Sequence, residues 1–223
     1  ALYGVWFGPG ADHFWLVGGT PTDGGKPGPL WRVPFSSKPG AEGSSATKEP
    51  LDGQQGVLSK IWSADGERLW AVGDHGRIWS NPGGKWAVEY EAGPGRVVGI
   101  SGRQGGDVVA VGGQGAGLVL RRHGTTWRRS AGGPTSFING LSAVMVMADD
   151  TAIVGGTNGY LAIEDGVDHG DELPAVEPPV TDLSLHGAFA AAATQIMCGG
   201  TFGSANPVGT VLMRGEPLPP LPN

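Results

Sequence analysis

The sequence has a single cysteine, few charged residues and no long apolar run. One cysteine cannot form a disulfide within the chain, and a metal site built from several thiolates is excluded. Because Cys198 lies in the apolar run QIMC at 195–198, we expect its side chain to be a small buried hydrophobe. No apolar stretch reaches the roughly 18 residues that a membrane-spanning helix needs. We therefore predict no membrane span.

Charge and motifs exclude further classes of protein. Charged residues make up 16% of the chain and the formal net charge is -6. Because binding to phosphates needs a basic surface, we predict no nucleic-acid partner. The G-x-S-x-G motif of serine hydrolases is absent, and no motif indicates a cofactor or a metal. The oligomeric state stays open.

Glycine, proline and tryptophan are abundant. Glycine and proline lie mainly between short apolar runs, and tryptophan lies mainly within them. The chain has 42 Gly, 18 Pro and 8 Trp in 223 residues. Residues 58–86, LSKIWSADGERLWAVGDHGRIWSNPGGKW, show the pattern best: three apolar runs and the start of a fourth, separated by turn residues. Asp-Gly between apolar runs is a strong hairpin signal. The stretch predicts four antiparallel strands.

This pattern recurs five times along the chain. Each copy has a second apolar run that ends in a glycine; these anchor glycines are Gly18, Gly73, Gly112, Gly155 and Gly199. After a long first interval of 55 residues they are 39, 43 and 44 residues apart. A period of roughly 40–45 residues with four short strands is typical of a β-propeller blade. We predict an all-β fold, one five-bladed β-propeller of four-stranded antiparallel blades in a single domain, with blades at about 1–56, 57–95, 96–137, 138–180 and 181–223.

The runs differ in composition, and this predicts their places in each blade. The second run is the most apolar and should be buried on both faces, while the first run should line the central channel. The anchor glycines fit a close backbone approach. Trp86 and Trp127 should lie in outermost strands and cover the seams between blades, and residues 46–51 could supply the outer strand of blade 1.

The two ends of the chain leave ring closure open. The Pro-rich residues 216–223 cannot form a regular fourth strand of blade 5, and no strand precedes Leu2 to complete it. Either the ring closes by packing alone or the chain is part of a longer propeller. Because the chain begins at Ala1 without Met, we expect a processed or trimmed chain. Separately, we predict a secreted, cell-surface or periplasmic location.

The segment 164–177 is the most acidic part of the chain, with Glu164, Asp165, Asp168, Asp171, Glu172 and Glu177. A calcium-binding loop is one interpretation, although the spacing differs from that of an EF-hand. The alternative, which we favour, is an acidic loop exposed to solvent. We predict no metal site.

The second and third copies resemble a known bacterial repeat. Residues 61–86 and 100–127 look like the "VWAVGDxGxIxxxxGxxW" blades of secreted, myxobacterial-type proteins, which are related to BNR/Asp-box propellers and to photosystem II assembly factor-like propellers. Residues 124–127 (GTTW) match the end of an Asp box, although the aspartate position holds another residue. The resemblance implies a fold more than an activity.

One mouth of the channel should carry the functional groups. The turns between the second and third runs and the links between blades meet there. From these turns we predict ligand-binding residues at Asp74, His75, Gln114, Asn158, Thr201 and Phe202. Amides, hydroxyls and an aromatic ring suit sugar hydroxyls, or a protein surface. The alternative is that turn geometry alone selects these residues.

We predict a non-catalytic binding propeller, whose ligand is a carbohydrate, as in a lectin, or a protein. One alternative is an assembly scaffold that docks a protein partner, as the resemblance implies. Another is a degenerate glycosidase, which would need two carboxylates roughly 5–10 Å apart. Since Asp12, Asp65 and Asp107 should lie at the opposite mouth from Asp74, no such pair is evident and we predict no catalytic residue.

Overall fold

The structure is a computed structural model that describes residues 1–8, 10–19, 30–35, 46–51, 56–113, 117–130, 140–167, 181, 183–191, 194–201 and 208–214. Regular structure in these ranges is almost entirely β. None of these residues belongs to a helix that is long and apolar enough to cross a membrane.

Eighteen strands are described. In chain order they are β1 (Leu2–Trp6), β2 (His13–Gly18), β3 (Leu30–Pro34), β4 (Thr47–Lys48), β5 (Leu58–Ser63), β6 (Leu69–Gly73), β7 (Arg77–Ser80), β8 (Ala87–Glu91), β9 (Val97–Gly102), β10 (Val108–Gly112), β11 (Leu118–His123), β12 (Thr126–Arg129), β13 (Leu141–Val146), β14 (Ala152–Gly156), β15 (Leu161–Glu164), β16 (Ser184–Ala191), β17 (Thr194–Gly200) and β18 (Gly209–Arg214).

Neighbouring strands along the chain pair antiparallel and form five separate sheets. The orders are β1-β2-β3-β4, β5-β6-β7-β8, β9-β10-β11-β12, β13-β14-β15 and β16-β17-β18. The fold is a five-bladed β-propeller, as predicted, and we number the blades 1 to 5 in chain order. Blades 1, 2 and 3 show the predicted four strands, and blades 4 and 5 show three among the described residues.

The core lies in the seams between successive blades. Separate clusters of buried apolar side chains join blade 1 to 2, blade 2 to 3, blade 3 to 4 and blade 4 to 5. The second strands β6 and β10 are buried at every residue, which confirms their predicted place in the middle of the blade. The first strands of blades 2 to 5 line a common cavity of about 270 Å³, which is the central channel.

Two tryptophans cover seams, as predicted. Trp86 is buried in the cluster between blades 1 and 2, immediately before β8, and Trp127 of β12 is buried between blades 2 and 3. Residues 46–51 contain β4, which pairs with β3 and is the predicted outer strand of blade 1.

Four of the five predicted anchor glycines lie against the chain segment that enters the first strand of their blade. A Cβ atom at Gly73 would be 2.1 Å from the carbonyl oxygen of Val57, and Gly18, Gly112 and Gly199 meet the equivalent oxygens at 1.8 to 2.0 Å. A side chain does not fit there, so glycine is required by the close approach.

In blade 4 the predicted anchor is wrong by one residue. Gly156, not Gly155, pairs with Leu141, as Gly73 pairs with Leu58 in blade 2. A bulge follows this pair in both blades, and it sets the register. Two consecutive glycines end β14, so the repeat pattern alone did not distinguish them.

A buried ionic cluster joins blades 3 and 4 at the mouth opposite to Asp74. Arg121 donates from Nε to Glu164 at 2.8 Å and from Nη1 to Asp107 at 2.7 Å. Beside it lies a more exposed pair: Asp150 of blade 4 accepts from Arg103 of blade 3 at 2.6 Å, and this hydrogen bond holds the pKa of the Asp150 carboxyl below its ordinary value. Glu164 is fully buried, so this first residue of the acidic segment is not the solvent-exposed acid that we predicted.

Cys198 is exposed, which contradicts the prediction of a buried side chain. It lies on β17, in the middle of blade 5, where an apolar run normally predicts burial. The physical reason is that no described residue covers the blade 5 face that carries Cys198.

Candidate functional site

The turn between β6 and β7 has the geometry of a type I′ hairpin. His75 and Gly76, its two central residues, both have positive φ, 60° and 63°, and the Arg77 amide donates to the Asp74 carbonyl at 3.3 Å. Asn158 and Gly159 of blade 4 repeat the turn with φ of 54° and 69°. His75 therefore occupies a position that turn geometry reserves for Gly, Asn, Asp or His.

Asp74 fastens this turn to two neighbouring segments. Its carboxylate accepts the Val57 amide at 2.7 Å and Nε of Arg96 at 2.5 Å. Its own amide donates to the Val57 carbonyl at 3.0 Å. Val57 enters blade 2 and Arg96 enters blade 3, so one side chain ties the turn to the start of both blades. A side chain of this kind stabilises the mouth whether or not a ligand binds.

A recess of about 570 Å³ opens beside this pair, between blades 2 and 3. Its lining residues are Asp74, His75, Pro94, Gly95, Arg96, Val98 and Gly113. Among the described lining residues, the Arg96 guanidinium and the Asp74 carboxylate form an ion pair, with side chains 39% and 20% exposed. The volume lies in the range of small-ligand sites, roughly 300–1,000 Å³.

The structure brings together two of the six predicted ligand-binding residues, Asp74 and His75. Asn158 and Thr201 are at turns of other blades and do not line the recess. Thr201 closes its own turn, since its amide donates to the Val208 carbonyl at 2.9 Å and its hydroxyl accepts the Val208 amide at 3.1 Å. Gln114 and Phe202 lie outside the described residues. That the six residues bind a ligand stays a prediction.

The sequence prediction missed Arg96, Pro94 and Val98 as lining residues. All three belong to the link into blade 3 and the start of β9, which reach the mouth beside the Asp74 turn. The links between blades were expected at this mouth, but the pairing of Arg96 with Asp74 spans 22 residues and two blades.

Few polar groups belong to the described lining of the recess. Asp74 is the single carboxylate among its described lining residues, and Arg96 already pairs with it. No group of three or more metal-ligating side chains occurs in the part of the chain that the structure describes. The available chemistry is a guanidinium and an imidazole beside two apolar side chains.

Replacing His75 with asparagine is expected to change the free energy of unfolding by less than about 0.5 kcal/mol, because asparagine is favoured in type I′ turns. Replacing it with valine should lower that free energy by about 1–2 kcal/mol, since a β-branched residue resists positive φ. Chemical denaturation of the two variants measures the difference. Equal stabilities would contradict the assigned turn.

Comparisons with known proteins support the fold. No family model and no curated protein matches this chain. Among solved structures, one of YCF48 bound to a D1 peptide aligns over 89% of this chain and 60% of its own, with 18% identity and a TM-score of 0.58. The propeller of Dos1 aligns over 96% of this chain and 57% of its own, with 13% identity and a TM-score of 0.61.

The chain thus spans about 60% of the length of the propellers that it matches. YCF48 is a photosystem II assembly factor, so the expected likeness to such propellers is present at the level of the fold. The relation to BNR/Asp-box and myxobacterial-type repeats stays a hypothesis. What the comparisons establish is that this chain has the β-propeller fold.

Proposed function

We propose that this protein is a non-catalytic propeller that binds a segment of a protein partner in the recess between blades 2 and 3. The observation that carries the proposal is the Arg96 guanidinium, which lines the recess and is 39% exposed. Among the described residues, the guanidinium of Arg96 donates one hydrogen bond, from Nε to the Asp74 carboxylate. The two Nη groups keep four N–H donors in one plane, which matches a carboxylate.

The groups around Arg96 narrow the ligand further. Pro94 and Val98 provide apolar surface next to the guanidinium. A peptide segment with a carboxylate beside an apolar side chain satisfies both parts of the recess. Such a carboxylate is supplied by Asp, Glu or a free C-terminus. Asp74 neutralises part of the positive charge of Arg96. We therefore expect the recess to prefer a carboxylate in the correct orientation over other anions.

A glycan, the other ligand that we predicted, has less support from this recess. Sugar sites usually include an aromatic ring that stacks on the apolar face of the sugar, and no Phe, Tyr or Trp belongs to the described lining. The peptide complex of YCF48 supports a peptide as a ligand class for this fold. A hydrolase has the least support, because a second carboxylate is missing from the described lining.

Replacing Arg96 with glutamine is expected to weaken binding of an acidic peptide by about 10- to 100-fold, which corresponds to a hydrogen bond to a charged group of about 1.5–3 kcal/mol. The probe is a library of immobilised decapeptides, from which the best binder is titrated by calorimetry. Arg77→Gln is the matched control: Arg77 pairs with Glu91 in the same blade and does not line the recess.

Two further measurements distinguish a peptide ligand from a sugar ligand. Neutralising the carboxylates of the selected peptide should abolish binding to the wild-type protein, and simple sugars should not compete with the peptide. Thermal unfolding of both variants checks that the fold is intact. If Arg96→Gln and Arg77→Gln bind equally well, or if a sugar displaces the peptide, the proposal is wrong.

A further inference from the structure

The face of blade 1 that points away from blade 2 is exposed, whereas the same face of the later blades is buried. Val5 and Ile61 are equivalent by register, and their exposures are 54% and 1%. Leu2 and Leu58, which pair with the anchor glycines of their blades, are 58% and 1% exposed. In blade 2 the preceding blade covers this face, and in blade 1 nothing described covers it.

Blade 5 shows the same contrast on its opposite face. Val211 is 64% exposed, while its equivalents Leu30, Ile78 and Val119 are at 0%. Cys198 is also exposed, and its equivalents in blades 1 to 3 are fully buried valines. In those blades the following blade covers this face.

The two exposed faces are the two halves of one type of contact. At each of the four internal seams, the face that is open on blade 5 packs against the face that is open on blade 1. No such cluster joins blade 5 to blade 1 among the described residues. Both ends therefore present apolar surface that has a defined, complementary partner surface on the same molecule, and contiguous apolar patches of this kind mark interaction sites.

We propose that a second copy of this chain covers these faces, with blade 5 of one copy packed against blade 1 of the next. A second copy fits because it carries both halves of the contact in the arrangement that the four internal seams already use. The contact is head-to-tail, so each copy can bind on both sides, and the assembly closes into a ring or extends. This surface is separate from the recess, which lies between blades 2 and 3.

The seam between blades 4 and 5 supplies the geometry for a test. Gly155 is the equivalent of Cys198, and Leu185 is the equivalent of Leu2. A Cβ atom at Gly155 would lie 3.2 Å from Cβ of Leu185. This is close to the Cβ separation in disulfides, about 3.5–4.5 Å. In the proposed contact, Cys198 of one copy therefore lies next to Leu2 of another.

Leu2→Cys is thus expected to form disulfide-linked dimers and higher oligomers with the native Cys198 under mild oxidation, visible on a non-reducing gel. Val88→Cys is the matched control, because Val88 is an exposed apolar residue on the outer strand of blade 2, away from both end faces. We expect that control to stay largely monomeric under the same conditions.

A second test, with Val5→Asp, does not depend on disulfide formation. Sedimentation velocity should show that self-association weakens at least tenfold, and Val88→Asp should have little effect. Because Val5 is exposed in the monomer, the variant should keep the wild-type unfolding temperature at concentrations at which the wild type is dissociated. A disulfide within one molecule of Leu2→Cys would overturn the proposal in favour of a ring that closes on itself. A monomeric chain with a freely reactive Cys198 would overturn it in favour of a blade from another protein.

Discussion

Replacing Glu164 with alanine is expected to lower the free energy of unfolding by about 3–5 kcal/mol, because it leaves a buried cation without its main partner. The Glu164 side chain is 1% exposed, and that of Arg121 is 10% exposed. Glu164 also accepts the Ser130 hydroxyl at 2.6 Å and the Gly166 amide at 3.1 Å, so all these donors lose their acceptor at once. Chemical denaturation monitored by tryptophan fluorescence measures the loss.

Glu91→Ala is the matched control for this prediction. Glu91 also pairs with an arginine, Arg77, at 2.8 Å, but its side chain is 49% exposed and water can replace the lost contact. We expect a much smaller change in stability. If Glu164→Ala and Glu91→Ala are equally stable, the buried cluster does not hold blades 3 and 4 together.

The repeat made most of the fold predictable from the sequence. Residues 58–86 contain the turn and strand signals of one blade, and four weaker copies confirm the unit by their spacing. The burial of the second strands was predictable from composition, because β6 and β10 contain only apolar residues. The close approach at Gly73 followed from the recurrence of glycine at the same point of the repeat.

The errors arose where a residue's environment depends on another blade. Cys198 has the local sequence of a buried strand, but whether it is buried depends on a neighbour beyond blade 5. Arg96 and Glu164 have partners in other blades, Asp74 and Arg121, at separations of 22 and 43 residues. A repeat predicts what its copies share, and each of these polar pairs connects two particular blades and has no equivalent in the repeat pattern.

The second large effect is expected at the anchor glycine of blade 2. Gly73→Ala should lower the free energy of unfolding by about 3 kcal/mol, at the upper end of the cost of overpacking. The added Cβ would lie 2.1 Å from the Val57 carbonyl oxygen and 3.1 Å from Cα of Leu58. Both are backbone atoms, so no side-chain rotation relieves the contact, and the entry into blade 2 has to move.

Gly209→Ala separates this contact from the general effect of replacing glycine. The nearest atom to a Cβ at Gly209 is 3.9 Å away, so the site is open. Both substitutions restrict the unfolded chain equally, which alone would stabilise the protein by about 0.4–1 kcal/mol. We therefore expect Gly209→Ala to be neutral or stabilising in the same denaturation experiment. Equal behaviour of the two variants would mean that the first strand of blade 2 does not pack closely against Gly73, and that a close backbone approach is not the reason for glycine at this position.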